Sequence, residues 1–194
     1  MALIVALFAS VLLAGMGLSL ALLGSAETML AGHDGQAAAA AQAARGGIAL
    51  AESQLRAMAD WSGVVTAGSP TDVCAVPGPF TDVSLQPRGW DGAVIDLHAQ
   101  TLRLQADSDA ATPAGLAAPV WRLFAYGPIS RLTPPGAPPA PFYLAAWVAD
   151  GRDGVLLLHA AAFGPAGLLT AVEASVARRP GGTSLDRLAL RRSR

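Results

Sequence analysis

Nothing between Met1 and Ala26 carries a charge, and the only polar side chains in that stretch are Ser10, Ser19 and Ser25. The run from Ala2 to Leu23 is long enough to cross a bilayer as a helix, which takes about 20 apolar residues. In lipid the backbone has to satisfy its own hydrogen bonds, so the run reads as a helix, and Gly15 and Gly17 are compatible with that. Gly24-Ser25-Ala26 before Glu27 has the small-x-small pattern of a cleaved secretory signal. Against that reading, no basic residue precedes the run, and the run exceeds the ~7–15 apolar residues of a signal. A plain single-pass anchor and an assembling helix are the other two readings. Ala6, Ser10 and Ala14 recur at four-residue spacing, with Gly17 and Ala21 following, and small faces of this kind let helix backbones approach closely in lipid. Together with Leu3 they form the candidate membrane and assembly face.

The charges give an orientation. Glu27 and Asp34 follow the apolar run before the first basic residue, Arg45. Cytoplasmic flanks carry an excess of Lys and Arg, so the C-terminal body is expected in the periplasm, with a single pass through the inner membrane.

The helix is not expected to stop at the membrane. The first proline is Pro70, and twelve of the fourteen prolines lie between Pro70 and Pro141. Before them runs a charge-free stripe of Ala37, Ala41, Ala44, Ile48, Ala51, Leu55 and Met58, spaced alternately by four and three. That is the helical period. Arg45, Glu52 and Arg56 sit beside it, Glu52 and Arg56 at the spacing of a favourable pair. One helix from about Leu3 to about Ala59 is expected, on the order of 85 Å long at ~1.5 Å per residue. Gly32, Gly35 and Gly46-Gly47 each weaken it by about 1 kcal/mol relative to Ala and are expected kinks or melting points. An alanine stripe buries little area, so Ala41, Ala44, Ile48, Ala51, Leu55 and Met58 need a close-packed partner surface.

Past Asp60-Trp61 the pattern changes. Residues 61–92 are rich in Gly, Pro, Asp and Ser and read as a loop or linker. Ile95, Leu97 and Ala99 alternate with polar residues, and the phase then flips at Leu102 and Leu104, which reads as strand with a bulge or turn near Gln100. Val120–Tyr126 and Phe142–Ala149 are further strand runs, with a proline-rich loop between them. The clearest pair is Val155–Phe163 and Leu168–Ala177, joined by Gly164-Pro165-Ala166-Gly167. The order is one long helix and then a meander of about five antiparallel strands, an α+β chain in which the amphipathic half-helix covers the sheet in two layers. The expected boundaries are a membrane helix at 1–23, its amphipathic continuation at 24–60, a linker at 61–92, the β domain at 93–178 and a basic tail at 179–194.

Chemistry is sparse. With 13 Lys+Arg against 14 Asp+Glu the chain lacks the basic face that nucleic acid requires. Cys74 is the single cysteine, so no intrachain disulfide or multi-cysteine metal site can form. His33 lies near the helix junction, His98 and His159 in expected strands, and no serine elbow, HExxH, phosphate loop or dinucleotide fingerprint surrounds them. No catalytic residue, cofactor or small-molecule substrate is expected. Asp150 and Asp153, in a glycine-rich turn, are the only weak candidates for a metal, and two carboxylates fall short of the six to eight oxygens of Ca²⁺. Trp61, Trp90, Trp121 and Trp147 read as core rather than as a carbohydrate platform. Arg178, Arg179, Arg187, Arg191, Arg192 and Arg194 gather in the tail, where they read as a solvated end or as a contact with acidic neighbours or anionic lipid.

Several stretches resemble a known family. Met-Ala-Leu-Ile-Val-Ala-Leu at 1–7, Leu-Leu-Gly-Ser-Ala-Glu-Thr-Met-Leu-Ala-Gly at 22–32 and the alanine run with Ala51-Glu52 look like PilX-type minor pilins of type IV pili and the related K-type pseudopilins of type II secretion. Leu158-His159-Ala160 through Phe163-Gly164 to Val172-Glu173-Ala174 looks like C-terminal strands of the same group. The resemblance covers residues 1–61 and, more loosely, 142–178. It implies a pilin-like fold, a filament built through the apolar helix, and other pilins or pseudopilins and inner-membrane lipid as partners. It also implies a short basic leader before Met1, either because the start is assigned late or because the sequence is the mature part. Where major pilins carry a glutamate at the fifth mature position this chain has Val5, as several PilX- and K-type members do, which favours a minor or tip subunit. The alternative is a membrane-anchored periplasmic binding module unrelated to filaments, with an anchored hydrolase a distant third.

Overall fold

The structure, a computed structural model, describes residues 2–58, 60–65, 68–70, 73–74, 80–134, 136, 140–151, 154–178 and 185–192. Side chains are described within these except at 2–14, 21, 26, 65, 178 and 185–192. The chain divides into two units, Met1–Ala39 and Ala40–Arg194. The first is helix throughout its described residues. Helix α1 runs Ala2–Ala57, and its turns from Ala40 onward belong to the second unit.

The second unit is α+β, with the end of α1 packed on an antiparallel sheet. Strands β1 (Arg122–Pro128), β2 (Tyr143–Asp150), β3 (Val155–Phe163), β4 (Leu169–Arg178) and β5 (Leu185–Arg192) pair in sequence order, a simple meander. Short helix α2 (Ser62–Val65) and helix α3 (Leu97–Ala111) precede the sheet. The β3–β4 connection is a 3₁₀ turn at Pro165–Gly167, with the Gly164 amide donating to the Leu168 carbonyl at 2.7 Å.

One face of the sheet takes α1. Ala43, Ala44, Ile48, Ala51 and Leu55 are buried against Leu144, Ala146, Val148, Leu156, Leu158, Ala160 and Val172, while Ala41 and Met58 are half-buried at the margin. Alanines on both surfaces let helix and sheet come close. Gly46-Gly47 is not a break, because α1 runs through it: a Cβ on Gly47 would lie 3.1 Å from that of Ala160. The glycine is there to allow close approach rather than bending. Glu52 is only 4% exposed and pairs with Arg56 at 3.6 Å. The helix ends where the Trp61 indole donates to the Leu55 carbonyl at 3.1 Å, satisfying one of the carbonyls that a helix terminus leaves open.

The other face is covered too, which overturns the two-layer expectation. Residues 95–105 do not form a strand. They lead into α3, capped by Asp96, whose carboxylate accepts from the Ala99 amide at 2.9 Å. Leu97, Thr101 and Leu104 face inward at helical spacing, and Trp147 donates its indole N–H to the Thr101 hydroxyl at 2.8 Å. Gln105 accepts from the Trp121 amide at 2.9 Å and donates to the Pro119 carbonyl. These contacts fix α3 over Tyr143, Ala145 and Trp147, so β2 is buried on both sides.

Residues 61–92 are more than a linker. Trp61, Val64 and Phe80 enter the core beneath α1. Val73 pairs in parallel with Leu123, the Cys74 amide donates to the Leu123 carbonyl at 3.0 Å, and the Asp82 amide donates to that of Tyr126 at 2.8 Å, so this segment lies along the free edge of β1. β1 carries one extra residue, Phe124, which shifts the register and places Phe124 and Ala125 on the α1 face together. A Cβ on Gly127 would overlap the Phe80 carbonyl oxygen. Gly127→Ala is therefore expected to destabilise the second unit by about 1–3 kcal/mol, read as a lower urea midpoint with an unchanged slope.

The expected basic tail is in part a strand. Residues 179–184, 193 and 194 lie outside the described residues, but β5 continues the sheet in register with β4, Arg191 opposite Glu173 and Leu190 opposite Ala174. The leucines interleaved with the arginines are what a sheet position requires, and they outweigh the local charge.

Candidate functional site

The apolar helix is the first candidate. Of the expected assembly face, the side chains of Leu3, Ala6, Ser10, Ala14 and Ala21 lie outside the described residues, and Gly17 is exposed. Around it Met16, Leu18, Leu20, Leu22, Leu23, Met29 and Leu30 are all more than 60% exposed. Two hydroxyls in this stretch bond back to their own helix: Ser19 donates to the Gly15 carbonyl at 2.9 Å and Thr28 to that of Gly24 at 2.6 Å. Their polarity is satisfied within the helix, leaving the exterior apolar as far as Leu23, before Ser25 and Glu27. Among the described residues no helix is long and apolar enough to cross a membrane, and the expected 2–23 span falls largely outside the described side chains.

Of the expected metal pair, Asp150 is exposed at the end of β2 and Asp153 lies outside the described residues. Among the described residues no three His, Cys, Asp or Glu side chains gather as ligands. His33 is exposed on α1, and His98 is exposed in the first turn of α3 rather than in a strand. Burial pushes the Cys74 thiol above its ordinary range, and the thiol donates to the Leu123 carbonyl at 3.5 Å. Tyr143 is likewise pushed up by burial and by the neighbouring Asp82, so its hydroxyl remains a donor to that carboxylate at 3.4 Å. Arg131 faces Asp82 at 3.6 Å and donates to the Phe80 carbonyl, completing a clamp on the segment beside β1.

His159 is different. It stands mid-β3, 8% exposed, with Trp121 and Trp147 edge-on at 5.9 and 5.6 Å between ring centroids. Directly opposed residues run across the strands as Leu123, Trp147, His159, Glu173 and Arg191, one row on one face. The His159 Nδ1 lies 3.5 Å from the Glu173 Oε1. The flanking rows are small: Ala145, Ala161 and Ala171 on one side, Ser175 on the other. Small floor residues beside a helix that packs mainly over β1 and β2 leave a cleft of ≈ 990 Å³ between α3 and β3–β4. Among the described residues the buried Trp121 indole nitrogen has no hydrogen-bond partner, and His159 Nδ1 has only the Glu173 carboxylate beside it. The other two described buried indoles are satisfied, that of Trp61 by Leu55 and that of Trp147 by Thr101. An unpaired buried polar atom costs about 1–3 kcal/mol, which sets the Trp121 indole apart. The sequence singled out His159 and Trp121 separately, but nothing in it brings them together, since the register of four strands does so.

Comparisons of the chain with protein-family models, with curated proteins and with solved structures found no match.

Proposed function

We propose that the protein is a structural subunit of a type IV pilus or related filament, a PilX-like minor pilin. Residues 2–23 hold it in the inner membrane with its C-terminal domain in the periplasm, and the same helix packs against other pilins or pseudopilins on assembly. The observation that carries this reading is the helical stretch from Met16 to Leu23, with five large apolar side chains exposed and its Ser19 hydroxyl turned back on the helix. Such a surface needs an apolar environment. Lipid tails and neighbouring apolar helices are equivalent in that respect, so transfer from one to the other has a small net free energy. The helix face on the sheet, Ala44 to Leu55, would then carry the folded domain on the filament surface.

The cleft beside His159 favours a second reading, a membrane-anchored periplasmic binding module. One experiment separates the two. Leu22→Cys in a Cys74→Ser background, treated in native membranes with a short bismaleimide, is expected to cross-link to itself or to other small subunits with apolar N-terminal helices. Monomer alone in the membrane would overturn the filament reading and leave the anchored module.

A further inference from the structure

β5 is the outermost strand of the sheet, and among the described residues nothing pairs with its outer edge. The main-chain groups along such an edge can bond only to water or to another extended chain. Which chain fits is set by the register. Ser175 stands opposite Ala189 and Val176 opposite Arg187, so Leu188 is an extra residue and β5 is bulged at its centre. The charges of the strand divide around that bulge, with Asp186 and Arg187 before it and Arg191-Arg192 after it. On β4 the residue opposite Arg191 is Glu173, whereas the residue opposite Asp186 is Ala177, which offers no counter-charge.

We propose that the outer edge of β5 is a homodimer interface, where β5 of a second copy runs antiparallel to the first about a two-fold axis between Leu188 and Ala189. In that register Leu185 is opposite Arg192 of the second copy, Asp186 opposite its Arg191 and Arg187 opposite its Leu190, and each pair occurs twice by symmetry. The two bulges then lie across from each other. Each strand places the same two residues, Leu188 and Ala189, between the flanking pairs, so the ladder keeps step on both sides. Charge selects the same register, because Asp186 acquires an arginine and no arginine faces another. A slip of one residue sets Arg187 against Arg191 in one direction and Asp186 against Leu190 in the other. A slip of two sets Arg187 against Arg192, or carries Arg191 and Arg192 past the end of the other strand at Leu185. In the favoured register Glu173, Arg191 and Asp186 of the second copy alternate in sign across three adjacent strands. Charges and bulges on an edge strand ordinarily turn other strands away, and here the same features match one partner, β5 itself. The contact involves residues 185–192 and does not depend on whether the N-terminal helix assembles.

The test uses the full chain in detergent micelles in a Cys74→Ser background, with one nitroxide label per molecule. A label at Ala189→Cys lies one residue from its symmetry mate along the paired strands. One at Arg192→Cys lies seven residues from its own, about 24 Å at ~3.4 Å per residue. Expected is dipolar broadening of the spin-label spectrum at Ala189 that disappears on dilution with unlabelled protein, and none at Arg192. Asp186→Arg sets like charges opposite each other twice and is expected to weaken the dimer at least about tenfold. Asp107→Arg, the same change of net charge at an exposed position of α3, is expected to leave it unchanged. Near-ultraviolet circular dichroism of the tryptophans checks that both variants fold. A label at Leu22→Cys reports contact between N-terminal helices separately, so either association can fail while the other stands. Absence of broadening at Ala189, equal broadening at Arg192, or an Asp186→Arg dimer as tight as the parent would each overturn the proposal.

Discussion

Ile48→Asp is expected to unfold the second unit. Ile48 is completely buried at the centre of the seam between α1 and the sheet, among Ala44, Ala51 and Ala160. A carboxylate there has no donor within an alanine-lined surface, and the next ionisable residue along that flank of the helix, Glu52, is of the same sign and itself 4% exposed. A buried unpaired charge belongs to the short list of changes that cost more than about 4–5 kcal/mol, comparable with the ~5–15 kcal/mol total stability of a domain. The measurement is the near-ultraviolet circular dichroism of the four tryptophans together with the denaturant transition. Two controls set the scale. Ile48→Val leaves only a small cavity and should cost about 0.5–1.5 kcal/mol. Gln42→Asp, on the exposed side of the same helix, should stay within about 0.5 kcal/mol of the parent. If all three proteins unfold at the same midpoint, the seam is not what joins helix to sheet.

Leu20→Asp has the largest effect expected on the proposed function. Leu20 is 71% exposed in the apolar stretch of α1, seven residues before the first acidic side chain, Glu27. Aspartate costs about 2.5–3.5 kcal/mol at the centre of a membrane helix and less toward its end, where Leu20 lies in the 2–23 span, and the lost leucine adds up to about 0.5 kcal/mol. A total of even about 1.4–2.8 kcal/mol corresponds to a roughly ten- to hundredfold loss of the membrane-held form. Expected is a shift of the protein out of the membrane pellet and loss of the Leu22→Cys cross-links, while Leu20→Ala retains both. Leu20 does not belong to the second unit, whose thermal transition should not change. Full retention in the membrane by the aspartate variant would count against lipid or an apolar helix as the surroundings of Leu20.

The sequence was most readable where the period was sustained. The stripe from Ala41 to Met58 carried enough turns to fix helix and face together, and the hairpin through Gly164-Pro165-Ala166-Gly167 was framed by two long apolar runs. It misled where the period was short. Ile95, Leu97 and Ala99 fit a strand, yet Leu97, Thr101 and Leu104 fit a helix equally well once Thr101 counts as an inward residue. The deciding mark was Asp96, an N-cap whose carboxylate serves the Ala99 amide. The strand reading also forced a phase flip at Gln100, and that local inconsistency is the kind of conflict a continuous helix removes. In the tail, six arginines drew attention from Leu185, Leu188 and Leu190, which belong to a strand set by its pairing with β4 rather than by a local pattern. Gly46-Gly47 is a related case: intrinsic propensity marked a weak point, and the opposing Ala160 surface made it a point of contact. The cleft was not readable at all. It depends on the register of β2, β3 and β4 and on where α3 stops covering them, and neither is a local property.

The sheet's two borders are unequal. Beside β1, residues 73–74 and 80–82 occupy main-chain groups that would otherwise face outward, whereas among the described residues β5 has no neighbour on its outer side. Among the described residues β5 is therefore the border from which sheets of separate molecules could join laterally. Because residues 73–74 and 80–82 occupy part of the opposite border, such joining favours pairs of molecules over a continuous ribbon. A domain displayed in many copies along a fibre would be protected in this way from fusing indefinitely with its neighbours.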